Sequence, residues 1–288
     1  MRIAAIQMVS SHVVDDNLDQ AADLIREAVQ AGAELVVLPE YFCLLGQKDT
    51  DKLQIQEQYI ESGYAETTDS QPIQRFLAGQ AKKAGIWLVG GSLPLTIEGL
   101  DTGVQNTAPA RAQVRNSTLV YSPDGRCAAR YDKMHLFSFD NGRERYDESR
   151  CLQAGNAPTT FDLPSRDGHT WRVGLSICYD LRFPELFRSL GAELLLVPSS
   201  FTYTTGQAHW EVLMRARAIE NLAYVLAPAQ GGEHSNGRRT WGHSLGIDPW
   251  GQVLAERAQG PGVVTADITI DSLRAYRQQL PALKHRVL

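Results

Sequence analysis

An α/β sandwich, with β-sheets inside and helices outside, is predicted for this chain by three observations. A rhythm of helix, glycine and strand recurs along it. Two copies of that rhythm, Gly32-Ala33-Glu34-Leu35-Val36-Val37-Leu38-Pro39 and Gly191-Ala192-Glu193-Leu194-Leu195-Leu196-Val197-Pro198, match almost letter for letter in residue type. This marks two related halves rather than a solenoid. Between the halves the pattern changes to hairpins, and elements of both kinds bury their apolar faces by stacking in layers. No Pro/Ser/Gly-rich linker divides the 288 residues. One domain spanning 1–288 is therefore expected, with a C-terminal arm from about residue 270.

The first strand is the apolar run Met1-Arg2-Ile3-Ala4-Ala5-Ile6-Gln7-Met8. It lacks the charged region and long apolar core of a signal peptide. Asp15 or Asp16 then caps a helix whose apolar positions Leu18, Ala21, Ala22, Ile25, Ala28 and Val29 share one face, and Gly32 ends it. A buried strand over 34–38 follows, with Pro39-Glu40-Tyr41-Phe42 at its carboxyl end. Ligands of open α/β sheets collect beyond the carboxyl ends of strands, so Glu40 reads either as a working carboxylate or as a solvated loop residue. Residues 47–70 are polar and weakly patterned, a surface helix or long loop. A second helix over 71–84 runs to Gly85 and a strand over 86–90.

Residues 115–121 form a strand, Ser122-Pro123-Asp124-Gly125 a turn, and 128–131 the returning strand. Lys133 follows it, and Glu148 lies in Tyr146-Asp147-Glu148-Ser149; alone, each reads as a solvated charge. The apolar run Val173-Gly174-Leu175-Ser176-Ile177 is a buried strand that leads through Cys178 into a helix with Pro184 near its start. A cysteine on such a turn, beside helix-terminal N–H groups that favour anions, has a good seat for a thiolate nucleophile. It also suits a small apolar filler.

After the helix over 184–190 comes the strand of the second repeat. A long helix over 207–222 carries Trp210, Leu213, Met214 and Ala218 on its core side, with His209 in its first turn bound to backbone or ligand. A strand over 223–227, a polar loop over 231–239, a hairpin of 242–247 with 252–255 around Asp248-Pro249-Trp250-Gly251, and a last strand over 263–268 complete the sheets. The tail is a helix over 272–280 and an extended arm over 281–288.

Composition narrows the function classes. With 43% hydrophobic and 21% charged residues the chain can bury a large core. Its net charge of -5 offers no basic field for nucleic acid. No apolar run approaches the ~20 residues of a membrane-spanning helix. Cys43, Cys127, Cys151 and Cys178 form no C-x-x-C pair and show no metal-ligand spacing. Free thiols, a cytoplasmic location, and neither metal nor membrane partner are therefore expected.

A layered fold brings strand-end loops together, which groups Glu40, Lys133, Glu148 and Cys178. Leu38-Pro39-Glu40-Tyr41, Tyr131-Asp132-Lys133-Met134-His135-Leu136 and Ile177-Cys178-Tyr179-Asp180-Leu181-Arg182-Phe183-Pro184-Glu185 resemble the three catalytic blocks of the nitrilase superfamily, the carbon-nitrogen hydrolases. The separations of 93 and 45 residues, from 40 to 133 and from 133 to 178, suit that pattern. The resemblance implies a four-layer α-β-β-α sandwich of two mixed sheets and an amidohydrolase working without a cofactor. It implies that Cys178 is the nucleophile, Glu40 the base and Lys133 an oxyanion donor together with the backbone N–H of Tyr179. Glu148 would hold Lys133.

Thr204-Thr205-Gly206-Gln207-Ala208-His209-Trp210-Glu211, Gly242-His243-Ser244 and the Asp-Pro-Trp-Gly turn are similar to the branch holding the deaminated glutathione amidases and omega-amidases. That branch cleaves the distal amide of a 2-oxoglutaramate unit, releasing cysteinylglycine or ammonia. Tyr41, Arg182 and Thr205 are candidate donors to the substrate's oxygens, since arginine binds carboxylates bidentately. Arg182 could instead pair with Glu185. The resemblance also implies a homodimer across the face of the nucleophile helix and the C-terminal arm. A nitrilase, a papain-like enzyme pairing Cys178 with His209 or His243, and a silent interaction module are the alternatives.

Overall fold

The computed structural model describes residues 1–61, 69–97 and 113–287. The first half contains β1 (Arg2–Gln7), α1 (Val14–Gln30), β2 (Leu35–Val37), α2 (Pro72–Ala84), β3 (Trp87–Val89), β4 (Leu93–Leu95), β5 (Arg115–Tyr121) and β6 (Cys127–Asp132). A ribbon of β7 (Ser138–Asp140) and β8 (Arg145–Asp147) follows. Then come β9 (Thr160–Pro164), β10 (Thr170–Leu175), α3 (Pro184–Leu190), β11 (Leu194–Leu196), α4 (Tyr203–Asn221) and β12 (Tyr224–Ala227). The chain ends with β13 (Gly231–Glu233), β14 (Arg239–Trp241), β15 (Ser244–Ile247), β16 (Val253–Arg257), β17 (Gly262–Asp267) and α5 (Ile270–Gln279).

Among the described residues, two mixed sheets form the centre. One has the order β17-β1-β2-β3-β5-β4 with β6 also on β5; the other has the order β16-β15-β12-β11-β10-β9. Strand alternation explains the layers, because successive side chains leave opposite faces. Ile3, Ala5, Leu35 and Val37 point one way and share a core with Trp171, Val173, Leu175 and Leu194 of the second sheet. Ala4, Ile6, Val36 and Leu38 point the other way, onto Ala21, Ile25 and Ala28 of α1 and Leu77, Ala78 and Ala81 of α2. On the far side of the second sheet, Leu186 and Phe187 of α3 and Trp210, Met214 and Ala218 of α4 are buried. The result is the four-layer α-β-β-α sandwich.

Local departures from the sequence reading have physical causes. Neither Asp15 nor Asp16 caps α1; the cap position is Val13, without a side-chain bond, and the entering chain is tied instead by Asn17, whose Oδ1 accepts from Ser11 N at 2.7 Å. Helix α4 starts at Tyr203 rather than 207. The poor helix formers Thr204, Thr205 and Gly206 are held there by tertiary packing, since a Cβ on Gly206 would lie 2.3 Å from Trp241. His209 is therefore past the first turn, and its Nδ1 meets an Arg182 guanidinium nitrogen at 3.2 Å rather than backbone. Residues 231–239 belong to a hairpin, with Gly231 opposite Trp241. Past α5 the arm is not wholly extended, because Ala282–Lys284 makes one 3-10 turn. Within 47–70, Asp51–Leu53 is a 3-10 turn, while 62–68 lies outside the described residues.

Candidate active site

Glu40 leaves the carboxyl end of β2 after Leu38, whose N–H still donates to Val89 O at 3.0 Å. The backbone then turns sharply, with Tyr41 in the left-handed region at φ 56°. This turn is packed from behind by Gly91, where a Cβ would lie 2.1 Å from Pro39 O, so glycine alone fits. Tyr41 N donates to Ser92 Oγ at 3.0 Å. The Glu40 side chain is thereby aimed into the space between the sheets and is 1% exposed.

Lys133 follows β6 directly, its N–H donating to Asn116 O at 2.9 Å. Its Nζ donates to Glu40 Oε1 at 2.9 Å and to both oxygens of Glu148, at 3.0 and 2.8 Å. Glu148 opens the 3-10 turn Glu148–Arg150, capped by Asp147 through Ser149 N. Its Oε2 also accepts from Phe137 N at 2.7 Å, and its Oε1 from Tyr41 OH at 3.2 Å. Glu40 is bound on both oxygens: Oε1 accepts from Asn116 Nδ2 at 3.0 Å and Oε2 from Ser200 N at 2.9 Å. Burying a cation between two carboxylates in this way keeps each charge paired.

Cys178 begins the 3-10 turn Cys178–Arg182 after β10, and its φ of 48° is left-handed. Such strain persists where the surroundings over-determine it. Here Cys178 N donates to Pro198 O at 3.0 Å. Asp180 beneath the turn accepts from Ile177 N at 2.8 Å, Tyr131 OH at 2.7 Å, and His135 N and Nδ1 at 3.1 and 2.7 Å. The N–H of Tyr179 lies in the first turn, where amides have no partner within the helix.

Burial shapes the charges of this cluster. Burial and the neighbouring carboxylate of Glu40 push the Cys178 thiol well above its ordinary value, against the opposing pull of Lys133, so the resting sulfur carries its proton. Burial by itself would lower Lys133, but Glu148 and Glu40 outweigh it and hold the ammonium above the usual lysine range. Burial alone would likewise raise Glu148; Lys133 and Lys52 instead bring it below the usual carboxylate range. The site thus combines a neutral thiol, an acceptor carboxylate and a fixed cation.

Glu40, Lys133, Glu148, Cys178 and Ser200 surround one small cavity of about 20 Å³, walled by Tyr41, Phe137, Tyr179, Phe201, Thr202, Thr205 and Arg238. Of the residues that the family resemblance singles out for catalysis and substrate binding, Arg182 alone is not part of this wall. Its guanidinium lies over the rings of Tyr179 and Phe201, 5.9 and 5.5 Å from their centroids, and no ion pair joins it to Glu185 among the described residues. Thr205 Oγ1 contacts Thr202 Oγ1 at 2.7 Å. His243 is engaged elsewhere, stacked on Trp241 and bonded to Glu256.

Asn116, Ser200, Phe137 and Arg238 were not anticipated. The repeat aligns Ser199, the residue after Pro198, with Glu40, the residue after Pro39, and so points one residue short of Ser200. Among the described residues no group of three or more His, Cys, Asp and Glu is placed to hold a metal ion.

The sequence matches the family described as Carbon-nitrogen hydrolase over residues 2–278. Deaminated glutathione amidase of a Synechocystis species is 40% identical over 289 residues, covering 99% of this chain and 97% of that protein. Omega-amidase NIT2 of Mus musculus is 37% identical over 289 residues, with 99% and 94% covered. Among solved structures, Saccharomyces cerevisiae Nit3, a member of branch 10 of the nitrilase superfamily, superposes with a TM-score of 0.82 at 28% identity, covering 100% of this chain and 97% of that one.

Proposed function

Because this chain belongs to the carbon-nitrogen hydrolase family, we propose that it hydrolyses the distal amide of deaminated glutathione to 2-oxoglutarate and cysteinylglycine. The observation that carries the reaction type is Lys133, held between Glu40 and Glu148 in the cavity that also contains Cys178. The substrate class rests on relatives named for it.

The proposed reaction starts from the protonated thiol. Glu40 takes the Cys178 proton as sulfur attacks the amide carbonyl, since the thiolate is the nucleophilic form. The oxyanion forms against Lys133 Nζ and the N–H of Tyr179, where losing one donor costs about 3–4 kcal/mol. The C–N bond then breaks as Glu40 returns its proton to the departing amine, leaving a thioester. Glu40 next deprotonates a water whose oxygen attacks the thioester, and as the C–S bond breaks Glu40 returns that proton to the Cys178 sulfur and the acid is freed. Glu148 keeps Lys133 in place throughout. Tyr41 and Thr205 line the acyl end, and Arg182 sets a positive charge behind the wall of Tyr179 and Phe201.

We place residues 1–288 in one catalytic domain with an arm from about 270, acting as a cytosolic homodimer. Free cysteines at 43, 127, 151 and 178 support the location. Exposed Val212, Ile219 and Trp250 by α4 support the pairing.

The second reading, an omega-amidase acting on 2-oxoglutaramate, is favoured by the 37% identity to NIT2. Release of 2-oxoglutarate from each compound by the purified protein separates the two. A higher kcat/KM for deaminated glutathione, lost in Cys178→Ala, is expected; a higher value for 2-oxoglutaramate replaces the first reading with the second.

A further inference from the structure

A second cavity opens beside the catalytic one, about 330 Å³ against about 20 Å³, and the two share Tyr41 and Arg238 as walls. Its lining is strongly basic. Lys48, Lys52, Arg145 and Arg238 face a single acidic side chain, Asp49. Among the described residues, no carboxylate forms an ion pair with Lys48, Lys52 or Arg238. Arg145 has only a loose pair, Nε to Asp140 at 3.7 Å, with both side chains well exposed. In a chain of net charge -5, four cations around one cavity are a local reversal of sign.

The cavity is built rather than incidental. Asn236 Nδ2 donates to Gly46 O at 2.7 Å, which ties the turn between β13 and β14 to the loop after Glu40. Lys52 Nζ lies 4.8 Å from the centre of the Tyr41 ring and 3.5 Å from its hydroxyl, and so sits against the partition between the cavities. Arg238 is held from both sides, donating through a guanidinium N–H to Ser200 O at 3.2 Å and lying 5.2 Å from the centre of the Tyr146 ring. Its Nε is buried and has no hydrogen-bond partner among the described residues. Buried donors of this kind are rare and mark places where a missing acceptor belongs.

We propose that this outer cavity is the subsite for the departing amine, and that its cations bind a terminal carboxylate on that amine. The inference rests on the amidase reading above and deepens it to the leaving group. An acyl carbon bound at Cys178 directs the amine toward the shared wall. A two-residue amine reaches about 7 Å when extended, and the shared wall of Tyr41 and Arg238 is what its carboxylate must pass to meet Lys48 and Arg145. Ammonia leaves the subsite empty. The subsite therefore separates the two readings, since it rewards a carboxylate-ended dipeptide and offers nothing to a primary amide.

The test compares kcat/KM for three compounds: deaminated glutathione, its terminal carboxamide and 2-oxoglutaramate. The wild-type protein should prefer the acid over its carboxamide by about tenfold or more, the worth of a charge-assisted hydrogen bond. In the double variant Lys48→Gln/Arg145→Gln that preference should shrink to within about threefold, through KM. The charge-conserving pair Lys48→Arg/Arg145→Lys should keep most of it. Equal rates on acid and carboxamide in the wild type, or a preference that survives in the neutral double variant, overturn the subsite while leaving the amidase reading intact. Turnover of none of the three by the wild type overturns both.

Discussion

In the first half of the molecule, β1, β2 and β3 run parallel with Ile3 opposite Leu35 and Leu35 opposite Trp87. In the second, β10, β11 and β12 run parallel with Val173 opposite Leu194 and Leu194 opposite Tyr224. The small bonds repeat as well. Glu34 N donates to Arg2 O and Glu193 N to Arg172 O; Leu38 N donates to Val89 O and Val197 N to Leu226 O. Each half turns from helix to strand at a left-handed glycine, Gly32 or Gly191.

On that common frame, the place of Cys178 is taken in the first half by Met8, which is fully buried, and the place of Glu40 is taken in the second by Ser199. The ends of these strands carry different residues in the two halves, and those ends meet: Ser200 N, one residue past Ser199, donates to Glu40. Duplication supplies the rigid positions, and divergence at single residues decides which carry chemistry.

The sharpest way to break the comparison is to exchange equivalent positions. Cys178→Ala should lower kcat by at least about 10⁴-fold, because the proposed thioester forms on this sulfur. Met8→Leu at the matching position should leave kcat within about threefold and cost less than about 1.5 kcal/mol, as a volume-conserving core change. Steady-state kinetics and thermal unfolding of both variants decide it, and a large loss in Met8→Leu would mean that the first half contributes more to the site than its strand end.

A smaller effect is expected at the second pair. Glu40→Gln keeps the shape and an acceptor oxygen but cannot perform the proton transfers proposed for Glu40, so kcat should fall about 10²–10⁴-fold. Ser199→Ala removes only the bond from its hydroxyl to Val197 O at 3.0 Å, worth about 1 kcal/mol, and should leave kcat within a few-fold. Comparable losses in the two would show that the serine end is catalytic as well.

The two halves also explain what could be read in advance. Apolar runs such as Leu35-Val36-Val37 and Leu194-Leu195-Leu196 are buried on both faces, so their strands, and the glycines before them, were plain from residue type. Glu40, Lys133, Glu148 and Cys178 were visible as chemistry-bearing residues at element ends, and the structure brings them together. The supporting contacts were not visible. Asn116 is the second residue of a strand, Ser200 contributes a backbone N–H that any residue could supply, and Arg238 comes from a stretch that reads as polar loop until Gly231 pairs with Trp241. Helix α4 starts four residues before its sequence pattern does, because propensity argues against Thr204, Thr205 and Gly206 and packing against Trp241 overrides it.

The smallest expected effect concerns stability rather than turnover, and it sharpens the contrast between the charged end of the first half and the neutral end of the second. Lys133 and Lys52 hold Glu148 below the ordinary carboxylate range despite its burial. A native value below the unfolded one, about 4.3, means that ionised Glu148 stabilises the fold above that value. The contribution is lost as pH falls through the lower native value, where the folded protein must also take up the proton. Urea unfolding of the wild type and of Glu148→Gln should therefore differ most near neutral pH, and the gap should narrow on acidification below about pH 4. Curves that stay parallel across that range would mean that Glu148 is held by packing alone, and that Lys133 needs only Glu40 to stay charged.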